Sequence, residues 1–178
     1  MGTEPFAATR VAGFSPVANA DARILILGTM PGVVSLTEAR YYANPRNAFW
    51  PIAAQLFGVS QALPYEARLQ ALRQAGVALW DVLADCERPG SLDAAIVSAT
   101  AVPNDFGAFF AGHPALRIVG FNGARAAQLY RRHVLPALGS QAPALRYVAL
   151  PSTSPAHAAQ GFEQKLAAWR VLLEGGDG

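Results

Sequence analysis

The sequence predicts a three-layer α/β/α sandwich around a central, mainly parallel four-stranded sheet, and two observations predict it. Four short apolar, β-prone runs recur, at residues 23–28 (RILILG), 77–82 (VALWDV), 116–121 (LRIVGF) and 145–150 (LRYVAL). Nearly continuous apolar runs of this length, closed by Gly, Pro or polar residues, are what strands buried on both faces require. Helical stretches separate them, at residues 47–57, 65–75, 123–135 and 162–173, the second placing Leu69 and Leu72 at helical spacing. Alternation of strand and helix implies crossover connections, and hence parallel strands with helices on both faces.

Composition narrows the class further. A chain of 178 residues, 52% hydrophobic and 15% charged, fits a single domain over residues 1–178 with one sizeable core. The first twenty residues and the closing residues 175–178 (GGDG) are expected to be loosely held. No apolar run reaches membrane-spanning length and the N-terminus lacks a secretory apolar region, so a cytoplasmic location is expected. One cysteine, Cys86, excludes an internal disulfide, and His113, His133 and His157 are not at metal-ligand spacing. No metal and no cofactor are therefore expected. Thirteen of the fourteen basic residues are arginine, the side chain best suited to phosphate, with Lys165 the only lysine.

In sheets of this kind ligands gather beyond the carboxyl ends of the strands. Here those ends carry the chain's unusual residues: Gly28, Thr29, Met30, Pro31 and Gly32 after the first run, Asp81 after the second, Asn122-Gly123 after the third, and PSTSPAHA after the fourth. The GTMPG turn is neither a P-loop nor GxGxxG. Its two glycines and proline allow close backbone approach to a ligand, though an ordinary strand-to-helix connection has the same look. In YYANPRNAFW (residues 41–50), Asn47 suits a helix N-cap, Phe49 and Trp50 suit the core, and Tyr42 could offer a ring face to a base. Arg46, Ser152, Thr153, Ser154 and His157 suit phosphate contacts, and a hydroxyl-rich helix cap is the competing reading of the serine-threonine loop. Asn122 reads as the cap of the helix that follows it.

With those pieces placed, the sequence resembles the uracil-DNA glycosylase superfamily, and within it the hypoxanthine-DNA (deoxyinosine) glycosylase branch. The likeness rests on LILGTMPGVVSL, YYANPRNAFWPI, RPGSLDAAI, VGFNGARAA and LPSTSPAHA, in that order. It implies that Gly28, Thr29, Met30 and Pro31 line a base pocket, that Tyr42 stacks on a flipped base, and that the 152–157 loop contacts the DNA backbone. Mismatch-specific uracil glycosylases carry a water-positioning asparagine where this chain has Met30. Methionine cannot do that work, and the resemblance shifts it to Asn47 of the N-x-FW segment.

The expected reaction is hydrolysis of an N-glycosidic bond after the damaged base has left the stack. Asn47 would position the water, N–H groups of the 28–32 turn would stabilise the departing base, and Asp81 would accept a hydrogen bond from its N1–H or N3–H. Asp81 as a helix or loop cap is the alternative. With Lys165 expected on a surface helix, no amine is placed to cut the strand, so a monofunctional enzyme acting on DNA as a monomer is expected. A uracil or G:U/G:T mismatch glycosylase is the alternative within the class. A non-catalytic nucleotide-binding α/β domain is the alternative outside it.

Overall fold

The computed structural model describes residues 10–174. In chain order the elements are β1 (Arg10–Ala12), β2 (Ile24–Gly28), α1 (Val33–Glu38), α2 (Phe49–Phe57), α3 (Tyr65–Gln74), β3 (Val77–Asp81), β4 (Leu83–Glu87), β5 (Val102–Pro103) and α4 (Phe106–Gly112). They continue with β6 (Ile118–Asn122), α5 (Ala124–Leu129), α6 (Leu135–Leu138), β7 (Arg146–Leu150) and α7 (Phe162–Trp169). The four expected strands form one parallel sheet in the order β3-β2-β6-β7.

Period-two alternation divides this sheet into two core faces. Leu25, Leu27, Ala78, Trp80, Val119 and Phe121 face α4, α5 and the turn after α5. Ile26, Val77, Leu79, Ile118 and Leu150 face α2, α3 and α7. Leu25, Ile26 and Leu27 are wholly buried, and a fully buried Leu or Ile side chain contributes about 1.5–3 kcal/mol. Gly120 belongs to the second face, where a Cβ would stand 2.8 Å from Leu172 Cδ2 and 2.9 Å from Leu150 Cδ1. The missing side chain lets the segment after α7 lie close on the sheet.

Three expectations change. Residues 10–20 are pinned rather than loose: β1 pairs antiparallel with β4, Gly13 N–H donates to Ala84, and buried Val17 bridges Leu79. Residues 1–9 and 175–178 lie outside the described residues. A second sheet of three short antiparallel strands, β1-β4-β5, flanks the parallel one. The helix expected at 123–135 is α5, a π-helical turn over Tyr130–Val134, and α6. The wider turn suits a segment with Pro136 ahead, since proline has no N–H to continue an α-helical ladder. Among the described residues no helix is long and apolar enough to cross a membrane.

Candidate active site

Parallel register brings Gly28, at the end of β2, opposite Asp81, at the end of β3. A Cβ on Gly28 would lie 2.5 Å from Asp81 Oδ1 and 3.5 Å from the Tyr42 hydroxyl. Glycine at this position is what allows a carboxyl, a phenol and the turn backbone to meet. Asp81 is buried, and its Oδ2 has no hydrogen-bond partner among the described residues. Burial, reinforced by the nearby Asp93 charge and opposed by Arg88, pushes the Asp81 carboxyl up to about 7. Asp81 is thus not a helix cap.

The 28–32 turn is held from behind by Arg88, a guanidinium only 1% exposed. Its Nη2 donates to the Pro31 carbonyl at 2.6 Å, its Nη1 to the Met30 carbonyl at 3.4 Å and its Nε to the Gly90 carbonyl at 2.8 Å. The Pro31–Gly32 peptide is trans, so a carbonyl turned toward Arg88 leaves the Gly32 N–H pointing the opposite way. Thr29 is buried and its hydroxyl donates to Asp93 Oδ2 at 3.0 Å. Burial raises the Asp93 carboxyl's pKa against that bond and against Arg88 and Arg125. Met30 is a core side chain, packed in the cluster that contains Leu27, Leu83 and Cys86.

Tyr42 has φ of 56°, in the left-handed region that a bulky residue rarely adopts. Its ring stacks on Phe49 with centroids 4.1 Å apart and planes 23° apart. Burial, then the Asp81 charge, raises the phenol's pKa, so it stays protonated. Asn122 Nδ2 donates to the Tyr42 hydroxyl at 3.2 Å and to Thr153 Oγ1 at 2.9 Å, while Asn122 Oδ1 accepts from Thr153 N at 2.9 Å. The Thr153 carbonyl in turn accepts from Ala48 N at 3.0 Å. Asn122 is therefore not the expected cap, since Gly123 precedes α5 without a side-chain cap bond. It ties Tyr42 to the C-terminal loop.

Asn47 caps from one residue outside the N-cap position, which is Ala48: its Oδ1 accepts from Phe49 N, the first residue of α2, at 2.9 Å. It also lines a cavity of about 220 Å³ with Tyr42, Asn44 and Trp50. In the C-terminal loop, Ser152 Oγ accepts from Ser154 N and Ser154 Oγ from Ala156 N. Ser152 and Ser154 are half-buried, and Arg46 and His157 are exposed. Thr153 departs from its expectation, for it is buried with its hydroxyl turned to Asn122. Lys165 departs as well: it is buried, not on a surface face, and its Nζ donates to the His157 carbonyl at 2.7 Å. A larger cavity, about 560 Å³, opens at the opposite edge of the sheet beside Arg23 and Gly76 and touches none of these residues.

Arg88 and Asp93 are the site residues that sequence reasoning left without a role, and Asn122 is the one it read as a helix cap alone. The first two stand in RPGSLDAAI, a segment that entered the sequence reading only through the family resemblance.

Comparison with known proteins bears on the family and the fold. Residues 15–173 match the model of the uracil DNA glycosylase superfamily. Two proteins called hypoxanthine DNA glycosylase, from Methanosarcina barkeri and Methanosarcina acetivorans, are each 36% identical over 117 residues, covering 65% of this chain and 73% of theirs. A solution NMR structure of a candidate uracil DNA glycosylase from Methanosarcina acetivorans superposes with a TM-score of 0.74 at 31% identity, over 93% of this chain and 99% of that one. With a family match spanning the whole sheet and the residues gathered at its carboxyl edge, the chain belongs to the uracil DNA glycosylase superfamily and is a DNA glycosylase.

Proposed function

We propose that this protein is a monofunctional DNA glycosylase that hydrolyses the N-glycosidic bond of a deaminated base, hypoxanthine before uracil, acting as a monomer in the cytoplasm. The observation that carries the preference is Met30. A buried thioether occupies the first motif, so water must be positioned from elsewhere, and two relatives 36% identical over 117 residues are called hypoxanthine DNA glycosylase.

Asn47 supplies the alternative. The Phe49 N–H fixes its carboxamide oxygen, and the second lone pair of that oxygen is available to a water in the adjoining cavity. A neutral amide cannot remove a proton, so its contribution is positioning beneath the sugar carbon as the bond opens. Charge gathering on the leaving base meets the Gly32 N–H and the other amides of the turn. Ionised Asp81 accepts from N1–H of hypoxanthine, an edge that uracil shares at N3–H. Tyr42, whose other face Phe49 supports, stacks on the base. Ser152 and Ser154 accept from backbone within their loop, which leaves their hydroxyl hydrogens for phosphate oxygens, with Arg46 and His157 alongside.

Duplex oligonucleotides carrying one inosine, uracil or xanthine, treated with enzyme and then alkali, test the reading. Alkali-dependent cleavage is expected at inosine first and to be largely lost in Asn47→Ala. Preference for uracil would favour the alternative suggested by the NMR relative. Full activity in Asn47→Ala would remove the catalytic assignment.

A further inference from the structure

The cavity beside Asn47 has a second wall that the reaction has not used. Arg40 and Arg68 line it together with Tyr42 and Asn47. The Arg68 guanidinium lies over the Trp50 ring at 4.5 Å and over Tyr65 at 5.6 Å, and Arg40 lies over Tyr65 at 5.5 Å. A guanidinium packed by its face on a ring keeps its N–H edge for an acceptor. Neither arginine is in an ion pair among the described residues, and Arg68 Nε is buried without a hydrogen-bond partner. Glu38, the acidic side chain of the same lining, is exposed and joins no ion pair there. The two cations also oppose one another: burial lowers the Arg68 pKa, Tyr65 acts against it, and the Arg40 charge adds a smaller lowering. Two like charges held together by rings, one with an unused buried donor, form an arrangement that an anion completes.

We infer that this cavity takes a backbone phosphate of the lesion-bearing strand, adjacent to the flipped nucleotide, with Arg68 as the principal contact and Arg40 as the second. The inference rests on the DNA glycosylase reading. It adds Arg40 and Arg68, which share a cavity lining with Asn47 that contains none of residues 152–157, a second place for the strand to be gripped besides the C-terminal loop. The competing account is that both arginines only cover the rings they stack on.

Binding to a duplex bearing a tetrahydrofuran abasic analogue, measured across salt concentrations, separates the two. Arg68→Gln is expected to weaken binding about 10-fold near 0.1 M salt and to lower the salt slope by about 0.9, the loss of one phosphate contact. Arg68→Lys, which keeps the charge, should keep the slope. Arg40→Gln carries the same expectation at a smaller size, and decides the matter if Arg68→Gln fails to fold. A scan with neutral methylphosphonate linkages adds a readout that ring packing would not move: one linkage near the lesion should weaken the wild type and leave Arg68→Gln unaffected. Wild-type slopes in Arg68→Gln and Arg40→Gln, with the same linkage sensitivity throughout, would overturn the clamp while leaving the glycosylase standing. A wild type that neither binds this duplex nor cleaves inosine DNA would remove both.

Discussion

The Asn47 carboxamide oxygen closes the first turn of α2 by accepting from Phe49 N, and in the proposed reaction it also holds water. The two roles separate by substitution, because serine is as good an N-cap as asparagine but its oxygen sits closer to the backbone. Asn47→Ser should keep the unfolding midpoint close to wild type, whereas Asn47→Ala should cost about 1 kcal/mol. Both should lose roughly 100-fold or more in single-turnover cleavage of inosine DNA, the scale of a displaced reacting group. Activity that tracked stability across the pair would leave Asn47 as a cap alone. Sequence offered both readings of this residue, and geometry does not force a choice because one oxygen can serve both. Asn122 is the contrasting case. Its Asn-Gly setting after a strand looks like a helix start, yet its side chain points back to Tyr42 and Thr153, residues 80 and 31 positions away. No local pattern encodes a contact made by two distant loops.

At the scale of elements, the four core strands were legible within two residues at each end: burial on both faces leaves an uninterrupted apolar run in β2, β3 and β6, and the edge strand β7, half exposed, keeps a β-prone run all the same. The shorter pieces were not. β1 and β5 run three and two residues, too little for an alternation to stand out, β4 (LADCE) carries Asp85 and Glu87 in place of an apolar run, and the six residues of α1 are a turn and a half. The last helix was legible in extent and misread in orientation, since a lone lysine suggests a solvent face while Lys165 points inward to the His157 carbonyl. That bond, with Trp169 Nε1 on the Pro151 carbonyl at 2.9 Å, fastens the C-terminal loop to α7 at both ends. Lys165→Met should therefore cost about 2 kcal/mol, the size of a hydrogen bond to a charged donor, and weaken DNA binding by freeing the loop. Glycosidic cleavage at saturating enzyme should persist, and borohydride should trap no covalent DNA complex in the wild type. A trapped complex that disappears in Lys165→Met would make the buried amine a nucleophile and the enzyme bifunctional.

For the whole molecule, the site imposes a pH dependence on folding. The Asp81 carboxyl is held at about 7 by burial, the Asp93 charge adding to the effect, whereas an unfolded aspartate titrates near 4. The folded state binds the proton more tightly, so the stabilisation is fully present below about pH 4 and is lost as pH rises toward about 7. Asp93, also raised by burial, acts in the same sense. The urea midpoint should thus fall between pH 4.5 and 7.5, and Asp81→Asn, neutral throughout, should show a shallower fall. Catalysis should run the other way over the same window, because in the proposed reaction the ionised carboxylate accepts from the N1–H of hypoxanthine more strongly than the protonated acid does. For the wild type, kcat/KM on inosine DNA should climb toward pH 7, and in Asp81→Asn it should be lower and lose that climb. Parallel stability slopes in the two proteins would mean that Asp81 is not the group responsible. An unchanged kcat/KM profile in Asp81→Asn would remove it from base recognition. The opposition of the two trends is the expected signature of a carboxyl buried for recognition at the expense of the fold that holds it.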